Sequence, residues 1–130
     1  MERTTVIYEQ GIRFCAATAG GRVVCDPDAG SYGPSAPELL MAALGSCIGS
    51  VIVYFAERKG YKHEGLQVDM DWEIVENPHR IGRINVHVTM PGPLTDEERA
   101  IFTRVADTCL IHNTLSHPPT MSLDLSVAAE

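Results

Sequence analysis

The chain has 130 residues, of which 45% are hydrophobic and 21% are charged, and its formal net charge is -7 at pH 7. This length predicts a single domain over residues 1–130, and the composition is that of a globular chain rather than a disordered one. An acidic chain repels nucleic-acid phosphates and anionic lipid, so we expect neither nucleic acid nor a membrane as a partner.

The cysteines suggest redox chemistry rather than metal binding. Four are present, without a CxxC motif and without clustered histidines, at positions 15, 25, 47 and 109. This spacing argues against a zinc site, and we expect neither a metal nor a cofactor. The first residues lack the layout of a secretory signal, so we expect a cytoplasmic protein, in which a cysteine pair is more often catalytic than structural.

The N-terminal quarter of the chain predicts a three-stranded antiparallel meander. Residues 3–9, 12–17 and 22–26 read as strands, because apolar and polar residues alternate in the second of them. Gly20 and Gly21 predict a two-residue hairpin loop between the last two strands. A loop over residues 27–34 follows.

A central helix is predicted over residues 36–59. Ser35 and Glu38 form a capping-box pattern at its start, and Gly60 ends it. Residues 39–56 carry no charge and are just long enough to span a membrane, but their glycines and serines and the lack of a second span favour a buried helix. Because the helix is apolar on nearly every side, we expect it to be buried all round. One small domain cannot supply that cover, so we expect an obligate homodimer.

The C-terminal half predicts two strands, a helix and a final strand. Residues 66–74 and 84–90 alternate as strands around a turn at Asn77-Pro78. A second helix, with a capping box from Thr95 to Glu98, is expected over residues 95–108, and Cys109 continues its apolar side. After a loop over residues 111–119, a last strand is expected at residues 121–127. The resulting order is βββ-α-ββ-α-β, an α+β fold.

Cys47 and Cys109 are the candidate chemical groups. A thiol in an apolar helix has a raised pKa and is inert alone, but Cys109 is expected on a facing buried surface. One thiol could then attack an oxidant and the other resolve the sulfenic acid as a disulfide. Cys47 would need a nearby cation, for which Arg22 and Arg13 are the candidates and Arg58 a weaker one.

The remaining polar and sulfur-containing residues have simpler interpretations. Glu38 belongs to the capping box and could also anchor an arginine through a bidentate pair. Cys15 and Cys25 are interpreted as packing residues on strands. His112, Asn113 and His117 are interpreted as structural hydrogen-bonding residues rather than as part of a cysteine–histidine hydrolase.

Four segments of the sequence resemble the OsmC/Ohr superfamily, the osmotically inducible and organic hydroperoxide resistance proteins. They are residues 33–47 (GPSAPELLMAALGSC), 65–66 (GL), 80–84 (RIGRI) and 109–115 (CLIHNTL). The resemblance implies an intertwined homodimer with active sites at the subunit interface. It also implies a peroxidatic Cys47, a resolving Cys109, an activating Arg22 and a partner carboxylate at Glu38, although that glutamate stands one residue closer to the cysteine than in the well-studied branches.

The function that follows is a thiol-dependent peroxidase that reduces organic or lipid hydroperoxides in oxidative stress defence. A dithiol such as a lipoylated protein would restore the enzyme. Two alternatives stay open: a redox-sensing or small apolar ligand-binding protein that does not turn over, and a structural protein whose cysteines only pack.

Overall fold

The described part of the chain forms two separate antiparallel sheets and three helices. The computed structural model describes residues 2–26 and 32–129. The α+β class with antiparallel sheets and a long central helix is confirmed, whereas the observed element order βββ-α-ββ-α-α differs from the predicted one in its last element. Most of the predicted loop over residues 27–34 lies outside the described residues.

The first sheet is the predicted meander. It contains β1 (Thr5–Gln10), β2 (Arg13–Thr18) and β3 (Gly21–Cys25), in that spatial order. Thr18 pairs with Gly21, so the hairpin loop consists of Ala19 and Gly20, and the prediction of a Gly20-Gly21 loop is wrong by one residue. The Thr18 hydroxyl donates to the Gly21 carbonyl at 2.9 Å and accepts the Gly20 N–H at 3.2 Å, which closes the turn one position earlier.

The central helix α1 (Ala36–Lys59) begins and ends where the sequence predicts. The Ser35 N–H donates to the Glu38 carboxylate at 2.8 Å, and the Glu38 N–H donates back to the Ser35 hydroxyl. Gly60 has a φ of 78°, a left-handed conformation that glycine adopts without steric cost, and it terminates the helix.

In this single chain α1 is buried on one side only. The buried residues recur every three or four positions and are Met41, Leu44, Gly45, Ile48, Ile52 and Ala56. The opposite side is exposed and carries Ala42, Ser46, Ser50 and Tyr54. Burial all round, as predicted from the apolar sequence, is therefore not reached by one chain, because its own elements cover only one side.

Helix α1 is long and apolar enough, by length and composition, to cross a membrane. Its buried side forms the centre of the hydrophobic core, together with Phe102 and Cys109. Nothing therefore points to a membrane protein.

The second sheet is a hairpin of β4 (Gln67–Val75) and β5 (Arg80–Thr89) that packs against α1. The predicted turn at Asn77-Pro78 is confirmed between its two strands. Gly45 allows the close approach of helix and sheet, since a Cβ there would lie 2.7 Å from the Met70 methyl group.

Two short helices follow the hairpin. Helix α2 (Asp96–Ala106) has the predicted capping box between Thr95 and Glu98 but ends two residues before position 108. Helix α3 (Leu110–Ser116) occupies most of the segment that was expected to be a loop, so that prediction is wrong.

The predicted final strand at residues 121–127 is absent from the single chain. Residues 117–129 form neither helix nor strand, and Met121, Leu123, Leu125 and Val127 are between 80% and 92% exposed. The alternation of the sequence is that of a strand, but a strand needs a neighbour for its backbone hydrogen bonds, and no described segment of this chain lies alongside it.

Candidate functional site: a pair of free thiols

Cys47 and Cys109 are brought together by the packing of α1 and α3. Cys47 lies half-buried in the middle of α1, and Cys109 is fully buried in the hydrophobic core. Both are free thiols, and Cys47 packs against the core cluster that contains Cys109. The predicted meeting of two distant cysteines is therefore present in the single chain.

Cys109 reaches this position in an unexpected way. It does not continue the apolar side of α2, as the sequence suggested, but is the N-cap residue of α3. Its backbone is extended, and its sulfur accepts the His112 N–H at 3.3 Å, the role that a serine or threonine oxygen usually plays. The Cys109 side chain therefore caps the N-terminus of α3.

The pKa values of the two thiols are shifted in opposite directions. Burial alone would raise the pKa of Cys47, but hydrogen bonds from the Cys109 thiol and from the backbone N–H groups of Ile111 and Leu110 outweigh it, so the pKa of Cys47 is lowered. Burial raises the pKa of Cys109, and its hydrogen bond to Cys47 raises that pKa further. The arrangement favours a thiolate at Cys47 and a neutral thiol at Cys109.

The residues that stabilise a thiolate at Cys47 were missed by sequence reasoning. Leu110 and Ile111 act through their backbone amides. Every residue except proline has a backbone N–H, so the residue type does not predict this role. The signal that could have located them is the Ile111–Leu115 spacing of four residues, which is helical, directly after a residue that can cap.

The predicted cations do not reach the thiols within one chain. The groups that lower the pKa of Cys47 are Cys109 and the two amides, and no guanidinium is among them. Arg22 is exposed on β3 and forms no ion pair within the described part of the chain. Arg13 is held locally, because its Nε lies 3.2 Å from the Glu9 carboxylate and its guanidinium stacks at 4.1 Å over the Tyr32 ring.

Glu38 completes the capping box of Ser35 in this structure. Its hydrogen bonds with the backbone and side chain of Ser35 hold the pKa of the carboxyl below its usual value. It makes no ion pair with an arginine among residues 2–26 and 32–129.

The other candidates have structural positions. Cys15 pairs with Val24 and Cys25 with Phe14, so the two cysteines lie on opposite faces of the meander. The His112 backbone N–H donates to the Cys109 sulfur, and the His117 ring nitrogen lies 3.2 Å from the Asn113 backbone carbonyl oxygen, so the structural interpretation of the His112 and Asn113 side chains stays a prediction. In the described ranges, no three histidine, cysteine or acidic side chains are grouped to hold a metal ion.

An open cleft begins one helical turn beyond Cys47. It encloses about 560 Å³ between the second half of α1 and the end of α2, and it is lined by Val51, Tyr54, Phe55, Glu57, Arg58, Val105 and Thr108. A second cavity of about 600 Å³ lies along β5 and α2 and reaches His112.

A central helix that carries one thiol, with a second thiol at the start of a short helix bonded to it, defines an α+β dithiol protein. The model of the family described as OsmC-like protein matches residues 28–124, so the chain belongs to the OsmC-like family. No curated protein sequence matches the chain significantly.

Solved structures share the fold at low sequence identity. An OsmC-like protein from Mycoplasma pneumoniae has a TM-score of 0.81 at 19% identity, over 91% of this chain and 89% of that one. An organic hydroperoxide resistance protein OsmC from Legionella pneumophila has a TM-score of 0.67 at 18% identity, over 88% and 90% of the two chains. An organic hydroperoxide resistance protein from Elizabethkingia anophelis has a TM-score of 0.63 at 16% identity, over 91% of each chain.

Proposed function

We propose that this protein is a thiol-dependent peroxidase that reduces organic hydroperoxides. The observation that carries the proposal is the Cys47–Cys109 pair, in which the pKa of one thiol is lowered and that of the other is raised. Such a pair supplies both a nucleophile and a protonated thiol for the second step. The names of the Legionella and Elizabethkingia proteins point to the same substrate class.

The proposed reaction has three steps. The Cys47 thiolate attacks the terminal oxygen of the hydroperoxide, the O–O bond breaks, and the alkoxide takes a proton to leave as an alcohol. The Cys109 sulfur then attacks the Cys47 sulfenic acid, forming a disulfide and releasing water. An external dithiol, such as a lipoylated protein, reduces the disulfide and becomes a disulfide itself.

Substitution of the two cysteines tests this mechanism. With cumene hydroperoxide and dihydrolipoamide, Cys47→Ser should abolish turnover, whereas Cys109→Ser should leave one stoichiometric burst of peroxide consumption. Cys15→Ser and Cys25→Ser are the controls and should retain turnover, since both lie on the meander. Full activity in Cys47→Ser would refute the proposal, and a disulfide that forms once without recycling would favour the redox sensor.

The pH dependence of alkylation tests the source of the thiolate. The rate at Cys47 rises with pH as the thiol ionises, and the lowered pKa places this rise below that of an ordinary cysteine. Cys109→Ala removes one hydrogen bond to the thiolate, so the midpoint should move to higher pH and the rate at pH 7 should fall. Cys15→Ala should leave the Cys47 midpoint in place. An unchanged midpoint in Cys109→Ala would show that Cys109 does not stabilise the thiolate.

We further propose that the working form is a homodimer. One side of α1, both faces of β1 and the apolar residues of the C-terminal segment are exposed in the single chain. A second copy would cover them and would bring the exposed Arg22 of one protomer towards the thiols of its partner. Sedimentation at micromolar concentration should give a dimeric mass, and a monomeric mass would overturn this proposal.

A further inference from the structure

The two sulfurs of the proposed disulfide differ in how far an external molecule can reach them. Cys109 is 0% exposed, and it lies inside the hydrophobic core cluster that includes Ile48 and Phe102. Cys47 packs against that cluster from the middle of α1 but is only half-buried. The cover of Cys109 comes from its own chain, so association with a second copy would not uncover it.

Backbone hydrogen bonds hold the buried sulfur in place. The Cys109 sulfur accepts the His112 N–H at 3.3 Å, and the Cys109 N–H donates to the Ala106 carbonyl at 3.3 Å. An N–H that is bonded to a sulfur stabilises negative charge developing there, because a hydrogen bond to an ionised acceptor is stronger than one to a neutral acceptor. Cys109 is thus placed to receive charge as a leaving sulfur.

Access and acidity favour attack at different sulfurs. A thiol of lower pKa leaves faster, and the pKa of Cys47 is lowered whereas burial raises the pKa of Cys109, so acidity alone favours attack at Cys109. An external thiolate could reach Cys109, however, only through an opening of the core, and such openings have the highest free energies within a folded protein. Cys47 is therefore the sulfur that an external thiol meets.

We propose that the external dithiol opens the Cys47–Cys109 disulfide at the Cys47 sulfur, so that the mixed disulfide forms on Cys47 and Cys109 is released. This assignment rests on the peroxidase function above and adds the direction of its last step. A thiolate of the dithiol bonds to Cys47, the Cys47–Cys109 bond breaks, and its electron pair goes to the Cys109 sulfur, which takes up a proton. The second thiol of the reductant loses its proton and attacks the sulfur bound to Cys47. The dithiol is thereby oxidised to a disulfide, and Cys47 leaves as a thiolate.

Mapping the adduct of a monothiol tests this assignment, because a monothiol has no second thiol to complete the reduction. The Cys15→Ser/Cys25→Ser double variant is oxidised with diamide, treated briefly with 2-mercaptoethanol and quenched in acid. Free thiols are then labelled with a maleimide in denaturant and mapped by peptide mass spectrometry. Mercaptoethanol on Cys47 with maleimide on Cys109 should exceed the reverse pattern at least about tenfold, since exchange depends on access to the attacked sulfur.

The matched control is the same oxidised protein, unfolded in guanidinium chloride before the monothiol is added. Both sulfurs are then accessible, so the excess of the Cys47 adduct should disappear. The reverse pattern or comparable adducts in the folded protein would overturn the proposal, as would an excess that persists after unfolding. The wild type, in which Cys15 and Cys25 are mapped as separate peptides, gives the same measurement if the double variant does not fold.

This experiment is independent of the peroxidase function, since diamide forms the disulfide without a hydroperoxide. If no hydroperoxide is turned over but the adduct is on Cys47, the peroxidase function fails and the assignment stands. If hydroperoxides are turned over but the adduct is on Cys109, the assignment fails and the peroxidase function stands. Failure of diamide to join Cys47 to Cys109 would refute both.

Discussion

The meander β1–β3 differs in burial from the rest of the molecule. We call the rest, which comprises α1, β4–β5, α2 and α3, the body. The body has a core cluster in which Ile52 is 1% exposed, and within the described residues none of the cluster comes from the meander. On β1, Val6, Ile7 and Tyr8 are each more than half exposed although they point to alternating faces. The body thus has a packed core of its own, although the outer side of α1 stays exposed, whereas every residue of β1 is exposed in the single chain.

The same substitution made in both regions should give the greatest difference in stability. Ile52→Ala should lower the free energy of unfolding by about 2–5 kcal/mol, because it leaves a cavity in the core. Ile7→Ala should cost less than about 0.5 kcal/mol if β1 stays exposed. Urea unfolding at several protein concentrations measures both.

The concentration dependence shows whether a second copy covers the meander. In a homodimer that buries β1, Ile7→Ala would cost several-fold more, and its effect would vary with protein concentration. Equal, concentration-independent losses for the two variants would show that the meander has a core contact of its own, contrary to the structure.

A smaller effect is expected where the meander joins the body. A Cβ at Gly33 would lie 2.3 Å from the Val24 carbonyl oxygen, and the Asp26 N–H donates to the Pro34 carbonyl at 3.1 Å beside it. Gly33→Ala should therefore displace this junction and cost on the order of 1–3 kcal/mol. Gly20→Ala, whose Cβ would meet nothing closer than 3.9 Å, is the control within the meander, and thermal unfolding should distinguish the two.

The stacking of Arg13 on Tyr32 should contribute least. Tyr32→Leu removes the ring under the guanidinium and should cost about 0.5–1 kcal/mol, whereas Tyr32→Trp should preserve the interaction. Denaturant unfolding checks the pair. Identical midpoints for Leu and Trp would show that the stacking contributes nothing measurable to the free energy of unfolding.

How far the sequence could predict this structure depended on whether each signal was local. Helix α1 could be placed to the residue, because Ser35, Glu38 and Gly60 each act within one turn of a helix end. The strand expected at residues 121–127 is not formed, because alternation describes a strand's side chains but not the neighbour that its backbone requires.

The candidate site was also predicted in part. The two thiols were expected to meet because each lies on an inward side, and they do. The acidity of Cys47 was expected from an arginine, yet in one chain it comes from the Cys109 thiol and the amides of Leu110 and Ile111. Backbone donors depend on where a short helix begins, and the spacing of apolar residues does not fix that position to one residue.

Because the N-cap of α3 is a cysteine, oxidation of Cys109 should affect a backbone hydrogen bond. The Cys109 sulfur, a weak acceptor, receives the His112 N–H in the first turn of α3 at 3.3 Å. If the two cysteines form the proposed disulfide, the sulfur that accepts this N–H gains a second covalent partner, and the hydrogen bond should change with it. The hydrogen-exchange rate of the His112 amide should therefore differ between the reduced and the oxidised protein.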